Sequence, residues 1–154
     1  MSRAVLISIQ PKWCRLIAVG SKTVEVRKTR PMGCLPFKVY IYCTKDNETK
    51  FWAENGIGNG KVVGHFTLNT IDEIVPNGIY NENSGTSEPR IINNFNDRNF
   101  NGYCLTNEQL KNYLGNNRGF GWRISDLVFY DTPKELSEFG KTRPPQSWCY
   151  VNKE

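Results

Sequence analysis

Lys22, Glu25 and Arg27 fall within six residues of one another, in the run Gly20-Ser21-Lys22-Thr23-Val24-Glu25-Val26-Arg27. An ammonium with three rotatable donors and a planar guanidinium fork both suit a phosphate or a base carbonyl. A carboxylate between them suits the exocyclic amine of a base, much as carboxylates read cytosine. Alternation along a strand places Thr23, Glu25 and Arg27 on one face and Val24 and Val26 on the core-facing side. Lys28 and Arg30 follow as a cationic rim of the kind that meets phosphates. Binding of a small polar or anionic group is the first chemistry this segment allows.

Catalysis is the second. Lys22 serves as a base or nucleophile only when deprotonated near neutral pH, which takes burial or nearby positive charge. Arg27 supplies positive charge, whereas Glu25 favours the ammonium. An enzyme would draw its catalytic groups from Lys22 and Glu25. Against both chemistries stands a plainer reading: an exposed Lys22 after a helix-ending glycine, and a Glu25 that merely pairs with Arg27 or Lys22.

Tyr40 and Tyr42 lie on the strand phase opposite Val39 and Ile41 and offer rings on which a base can stack. Trp13, Trp52, Trp122 and Trp148 read first as packing residues, with a surface stacking platform as the other reading of Trp52. His65, the single histidine, sits on the outward phase of its strand and is the remaining acid–base candidate. Ser125 and Asp126 mark a phase slip, where a bulge would re-aim a polar group.

These residues need elements to hold them. Residues 4–9 (AVLISI) read as a strand stopped by Gln10-Pro11, and residues 12–19 as a helix begun by Pro11 and ended by Gly20. Trp13, Leu16 and Ile17 form its apolar face. Strands are expected over residues 23–28, 37–43 and 61–69, the last bending on toward Ile71 and Ile74. Residues 55–60 (NGIGNG) read as turn chemistry. Residues 76–103 hold eight asparagines and read as a long loop excursion, with at most a helical turn near 90–95. Thr106 caps a helix running to residue 114. Residues 120–130 read as one bulged strand, 133–139 as one or two helical turns, and 147–151 as a closing strand.

The 154 residues suit a single domain, 1–154, with a self-sufficient core. The net charge of +5 is unevenly spread. Residues 1–50 carry ten Lys and Arg against three acids, and residues 51–154 carry ten against twelve. A basic face that attracts phosphate-bearing partners follows. Five scattered cysteines without a CxxC pair, and one histidine, argue for reduced thiols and against a metal site. No cofactor motif is present. No apolar run is long enough to span a membrane, and the N-terminus lacks the layout of a signal peptide, so a cytoplasmic protein is expected.

The run SIQP, then GSKTVEVRK, the strand KVYIYC, GKVVGHFTLNTI, GWRISDL and the closing SWCYV together resemble the ASCH domain family of the PUA-like superfamily. The form is similar to that of phages and firmicute mobile elements. The resemblance implies an α+β, mainly β fold: a small PUA-like barrel of five to six mixed strands with two to three short helices. It also implies a cleft beside the Lys-x-x-Glu-x-Arg strand. The function it implies is binding of RNA or a modified nucleotide, with Lys22, Thr23, Glu25, Arg27, Lys28, Arg30, Tyr40 and Tyr42 as ligand-binding residues.

Some members are reported as hydrolases, so a ribonuclease or a modified-nucleoside amidohydrolase is the alternative. In the amidohydrolase branch a threonine stands where this chain has Glu25, and that activity is not carried over. A protein-interaction module of a phage, using the Asn-rich segment and Trp52, is the second alternative.

Overall fold

The computed structural model describes residues 3–45 and 60–152, and Trp52 and the 55–59 part of the expected turn lie outside them. The chain divides into two compact units. The first comprises residues 1–22, 33–69 and 124–154, and the second residues 23–32 and 70–123.

The first unit is a five-stranded mixed sheet. Its strands are β1 (Arg3–Ile9), β3 (Phe37–Cys43), β4 (Lys61–Leu68), β8 (Ser125–Lys134) and β9 (Trp148–Asn152), in the order β8-β4-β3-β1-β9. β1 is buried from Ala4 to Ile9, as a central strand covered on both faces must be. It pairs in parallel with β3 and antiparallel with β9. Between β1 and the next strand runs α1 (Pro11–Ala18), which starts on proline and buries Pro11, Cys14 and Ile17. Ala4, Leu6, Tyr40, Tyr42, Val62, Phe139 and Val151 form one core cluster of this unit.

The second unit is a four-stranded antiparallel sheet built from β2 (Val24–Arg27), β5 (Ile71–Asn81), β6 (Thr86–Ile91) and β7 (Gly119–Arg123), in the order β2-β7-β5-β6. α2 (Asn107–Leu114) begins with a capping box in which Thr106 and Gln109 satisfy each other's backbone N–H groups. It buries Leu110 and Leu114 against Val24, Val26, Ile74, Ile91 and Tyr103. Among the described residues no helix is long and apolar enough to cross a membrane.

The mainly β, α+β class stands as expected, but the strands form two open sheets rather than one closed barrel, and nine strands are described rather than five or six. Two expectations fail for physical reasons. The 76–103 excursion is largely ordered: β5 and β6 form a hairpin across Pro76, with a register shift between Val75 and Ile79 that accommodates the proline. No helical turn forms near 90–95, where β6 ends at Ile91 and turns follow. The asparagines do not dissolve structure but close turns. Asn81, Asn94 and Asn99 each accept a hydrogen bond from the backbone N–H two residues on, the mark of Asx turns.

The bulged strand expected over 120–130 is in fact two strands in two sheets. The phase slip at Ser125-Asp126 marks the start of β8, where Asp126 takes φ +51°. β8 then runs on to Lys134, and only Leu136–Phe139 is helical, as a single 3-10 turn, η1.

Gly64 sits where β4 meets β8, and a Cβ there would run into the Val128 carbonyl oxygen. Gly64→Ala is expected to cost about 1–3 kcal/mol through overpacking. The check is the urea unfolding midpoint, and a midpoint equal to wild type would show that β8 yields freely.

Candidate functional site

Lys22 is no surface lysine: only 2% of it is exposed. It follows the end of α1, where the backbone N–H groups of Ser21 and Lys22 both donate to the Leu16 carbonyl. Its Nζ lies 4.8 Å from the centre of the half-buried Trp13 ring, a cation–π arrangement. Trp13 is therefore a platform for a cation rather than wholly a core residue, and Lys12 approaches the same ring at 4.4 Å. The plain reading of an exposed Lys22 is excluded. Lys22 and Trp13 both belong to the first unit.

Thr23 to Arg30 belong to the second unit. Thr23 is exposed and precedes β2. Its backbone is pinned, because the N–H groups of Thr23 and Val24 both donate to the Gly102 carbonyl. A Cβ on Gly102 would strike the Thr23 hydroxyl, and its φ of +80° also demands glycine. β2 then places Val24 and Val26 in the core and Glu25 with Arg27 on the other face, as alternation predicts.

Glu25 is itself buried, at 6% exposure. Arg27 Nη2 donates to Glu25 Oε2 at 2.7 Å and Nε to the same oxygen at 3.2 Å. The pairing offered as the plain reading of Glu25 is thus present. It does not retire the pair as a ligand contact, since the guanidinium carries further donors.

Sequence reasoning missed Tyr113. It stands on α2, 42% exposed, and Lys28 Nζ lies 5.0 Å from its ring centre. Burial pushes its phenol above its ordinary pKa, with Arg27 pulling it down and Glu25 pushing it up. The ring therefore stands within electrostatic reach of the ion pair. The available signal was its place in α2, next to the buried Leu110 and Leu114 stripe, but nothing local says which strand that edge approaches. Arg30 Nε donates to the Pro31 carbonyl at 3.3 Å.

Tyr40 and Tyr42 are corrected. They are 1% and 4% exposed inside the core cluster of the first unit, so neither ring presents a face to a base. Alternation separated them from Val39 and Ile41 rightly, but both faces of β3 are covered. Trp122 is fully buried, as expected, and its indole N–H donates to the Thr29 carbonyl at 3.2 Å. Trp148 is only half-buried, edge-on to Tyr150 at 5.3 Å. Ser125 is half-buried and Asp126 exposed.

A second charged group missing from the sequence reading is Asp72, at 2% exposure. Tyr103 donates to its Oδ2 at 2.6 Å, and Arg123 reaches both oxygens at 2.9 and 2.8 Å. Burial, with Asp72 as acceptor and neighbouring charge, raises the Tyr103 phenol far above its usual range. The Asp72 hydrogen bond likewise holds Arg123 more firmly protonated. The same unit carries a cleft of about 520 Å³ lined by Tyr80, Asn81, Asn83, Glu88, Arg98 and Phe100 among others.

The fold is that of the ASCH proteins. The crystal structure of ASCH from Zymomonas mobilis matches this chain with a TM-score of 0.63 and 21% identity over 97% of this chain and 88% of that one. A Tyr-to-Phe variant of that protein matches at TM-score 0.62 and 20% identity, over 97% and 91%. A Ser-to-Ala variant matches at the same score and identity, over 97% and 89%. No protein-family model matches the chain, nor does any curated protein.

Asp72→Ala leaves Arg123 and the buried Tyr103 hydroxyl without their acceptor and is expected to cost about 3–5 kcal/mol. Tyr103→Phe removes one neutral donor while Arg123 still holds the carboxylate, for about 1–2 kcal/mol. Chemical denaturation of the two variants checks the order, and equal losses would refute the division of labour at Asp72.

Proposed function

We propose that this chain is an ASCH-type module that binds RNA or a modified nucleotide through the segment from Lys22 to Arg30. The observation that carries the reading is the pair of Tyr113 and Lys28 beside the buried Glu25–Arg27 ion pair. A half-exposed ring bordered by cations is what single-stranded nucleic acid needs, a stacking face next to a backbone track. Lys28 and Arg30 contact phosphates, Tyr113 stacks on a base, and Arg27, its fork oriented by Glu25, donates to a base carbonyl or phosphate oxygen. Thr23, exposed on a pinned backbone, adds a hydroxyl. Lys22, buried on the Trp13 ring in the first unit, is proposed as a binding residue in its own right. The likeness to ASCH structures over 97% of the chain supports the same class.

Binding of a labelled single-stranded RNA, read by fluorescence anisotropy across a salt series, tests the proposal. Tyr113→Ala is expected to weaken binding roughly tenfold to a hundredfold, the range of one lost stacking contact. Lys28→Ala and Arg30→Ala should each flatten the salt dependence by about one phosphate contact. Lys22→Met, which keeps the stem and removes the charge, should weaken binding as well. Recovered RNA is run on a denaturing gel, and cleavage lost in Lys22→Met would favour the hydrolase reading. Affinity unchanged in all four variants sinks the assigned site.

A further inference from the structure

The cleft of the second unit is built from one hairpin and the chain that follows it. Its lining comes from the end of β5, from β6, from the turns after β6 and from the first residue of α2. It therefore lies wholly inside that unit. At about 520 Å³ it falls within the range of small-molecule sites, roughly 300–1,000 Å³. The hairpin turn is ordered by its own hydrogen bonds. The Asn81 carbonyl accepts the Gly85 N–H at 2.9 Å, and the Asn81 side-chain oxygen accepts the Asn83 N–H at 2.9 Å. Ser84 and Thr86 share a hydrogen bond at 2.7 Å, and the Thr86 hydroxyl donates to Glu88 Oε1 at 3.1 Å. The half-buried Glu88 is thus held by one carboxylate oxygen, and the other has no hydrogen bond among the described residues.

Arg98 and Phe100 line the same cleft. Asp97, the acid next to Arg98 in the chain, is engaged by Arg90 at 3.0 Å. The exposed Arg98 guanidinium itself makes no ion pair or hydrogen bond among the described residues. Phe100 is half-buried and edge-on to the core residue Tyr103, with ring centres 5.0 Å apart. A carboxylate that accepts, a guanidinium that donates and an anchored aromatic ring therefore border one space. Hydroxyl groups both donate and accept, so they satisfy such a mixture, and the C–H face of a saturated ring packs on an aromatic one. The charges argue in the same direction. Glu82 and Glu88 stand against Arg98 alone in the lining, so a phosphate meets net repulsion and a neutral ligand does not.

We propose that this cleft binds a neutral polyhydroxylated ring, either a free saccharide or the ribose of a nucleoside. Glu88 accepts from one hydroxyl and Arg98 donates to its neighbour, a division of roles that a vicinal diol meets in one contact. Phe100 packs on the C–H face of the ring. Asn81, its side-chain oxygen already held in the turn, offers its amide N–H groups to a further hydroxyl. None of these residues belongs to the Lys22–Arg30 segment, and the site does not depend on the RNA reading.

Titration of the isotope-labelled protein with D-glucose, D-ribose and uridine, followed by amide NMR shifts, tests the site. Saturable shifts are expected at Asn81, Glu88, Arg98 and Phe100. A response to glucose assigns a saccharide, and a response to ribose and uridine without glucose assigns the ribose. Arg98→Ala, at an exposed position, should keep the fold and weaken binding roughly tenfold or more, the loss of one charged hydrogen bond. Glu88→Ala should do the same, with the dispersion of its amide spectrum reporting that it folds. Inorganic phosphate should leave the cleft amides unmoved. Deoxyuridine, which lacks the vicinal diol, should bind more weakly than uridine, and equal binding would mean that the base is read and the hydroxyls are not. That equality, unmoved cleft amides with all three neutral probes, affinity unchanged in both variants, or shifts produced by phosphate in their place each overturn the proposal.

Discussion

A carboxylate withdrawn from water stays charged only if donors surround it, and in the second unit that requirement falls on Asp72. Arg123 takes both of its oxygens and Tyr103 takes one. The consequence reaches beyond the pair. Tyr103 is fully buried and adjoins Gly102, whose carbonyl receives the N–H groups of Thr23 and Val24. The same phenol needs Gly121 opposite Asp72, because a Cβ there would strike its hydroxyl. One carboxylate therefore ties β5 and β7 to the turn that fixes where β2 begins. The position of Glu25 and Arg27 follows from that anchor.

Buried ion pairs are weak devices for stability, since desolvation offsets most of their attraction. What they supply here is orientation. The Glu25–Arg27 pair lies two residues apart on one strand face, with side chains 7% and 12% exposed. A guanidinium held on one carboxylate oxygen has lost much of its rotamer freedom. Trp13 performs a comparable service for Lys22, replacing lost hydration with the face of an indole. Both side chains are thus oriented by residues close to them in the chain.

How much of this was legible in the sequence depended on how local the cause was. Pro11 opened α1, Thr106 capped α2, and the alternation of Val24 and Val26 against Glu25 and Arg27 set the faces of β2, all from neighbours within a few positions. Asn81, Asn94 and Asn99 misled because asparagine closes turns inside ordered hairpins as readily as it populates loops. Tyr40 and Tyr42 misled for a different reason. Period-two alternation tells which residues share a face but not whether that face is covered, and on β3 both are.

The groups that sequence reasoning undervalued share one property: their partners are far away along the chain. Asp72 answers to Arg123, Tyr113 to Lys28, and His65 to Lys38, Tyr130 and Lys134. No spacing rule joins positions 38, 65 and 134, because the sheet order β8-β4-β3 decides that they meet. The basic surplus of residues 1–50 gives the matching lesson for charge. Its cations divide between an exposed track at Lys28, a buried position at Lys22 and the sheet face at Lys38. A net charge counts these as equal. Only the fold separates the exposed lysine at position 28 from the buried one at position 22.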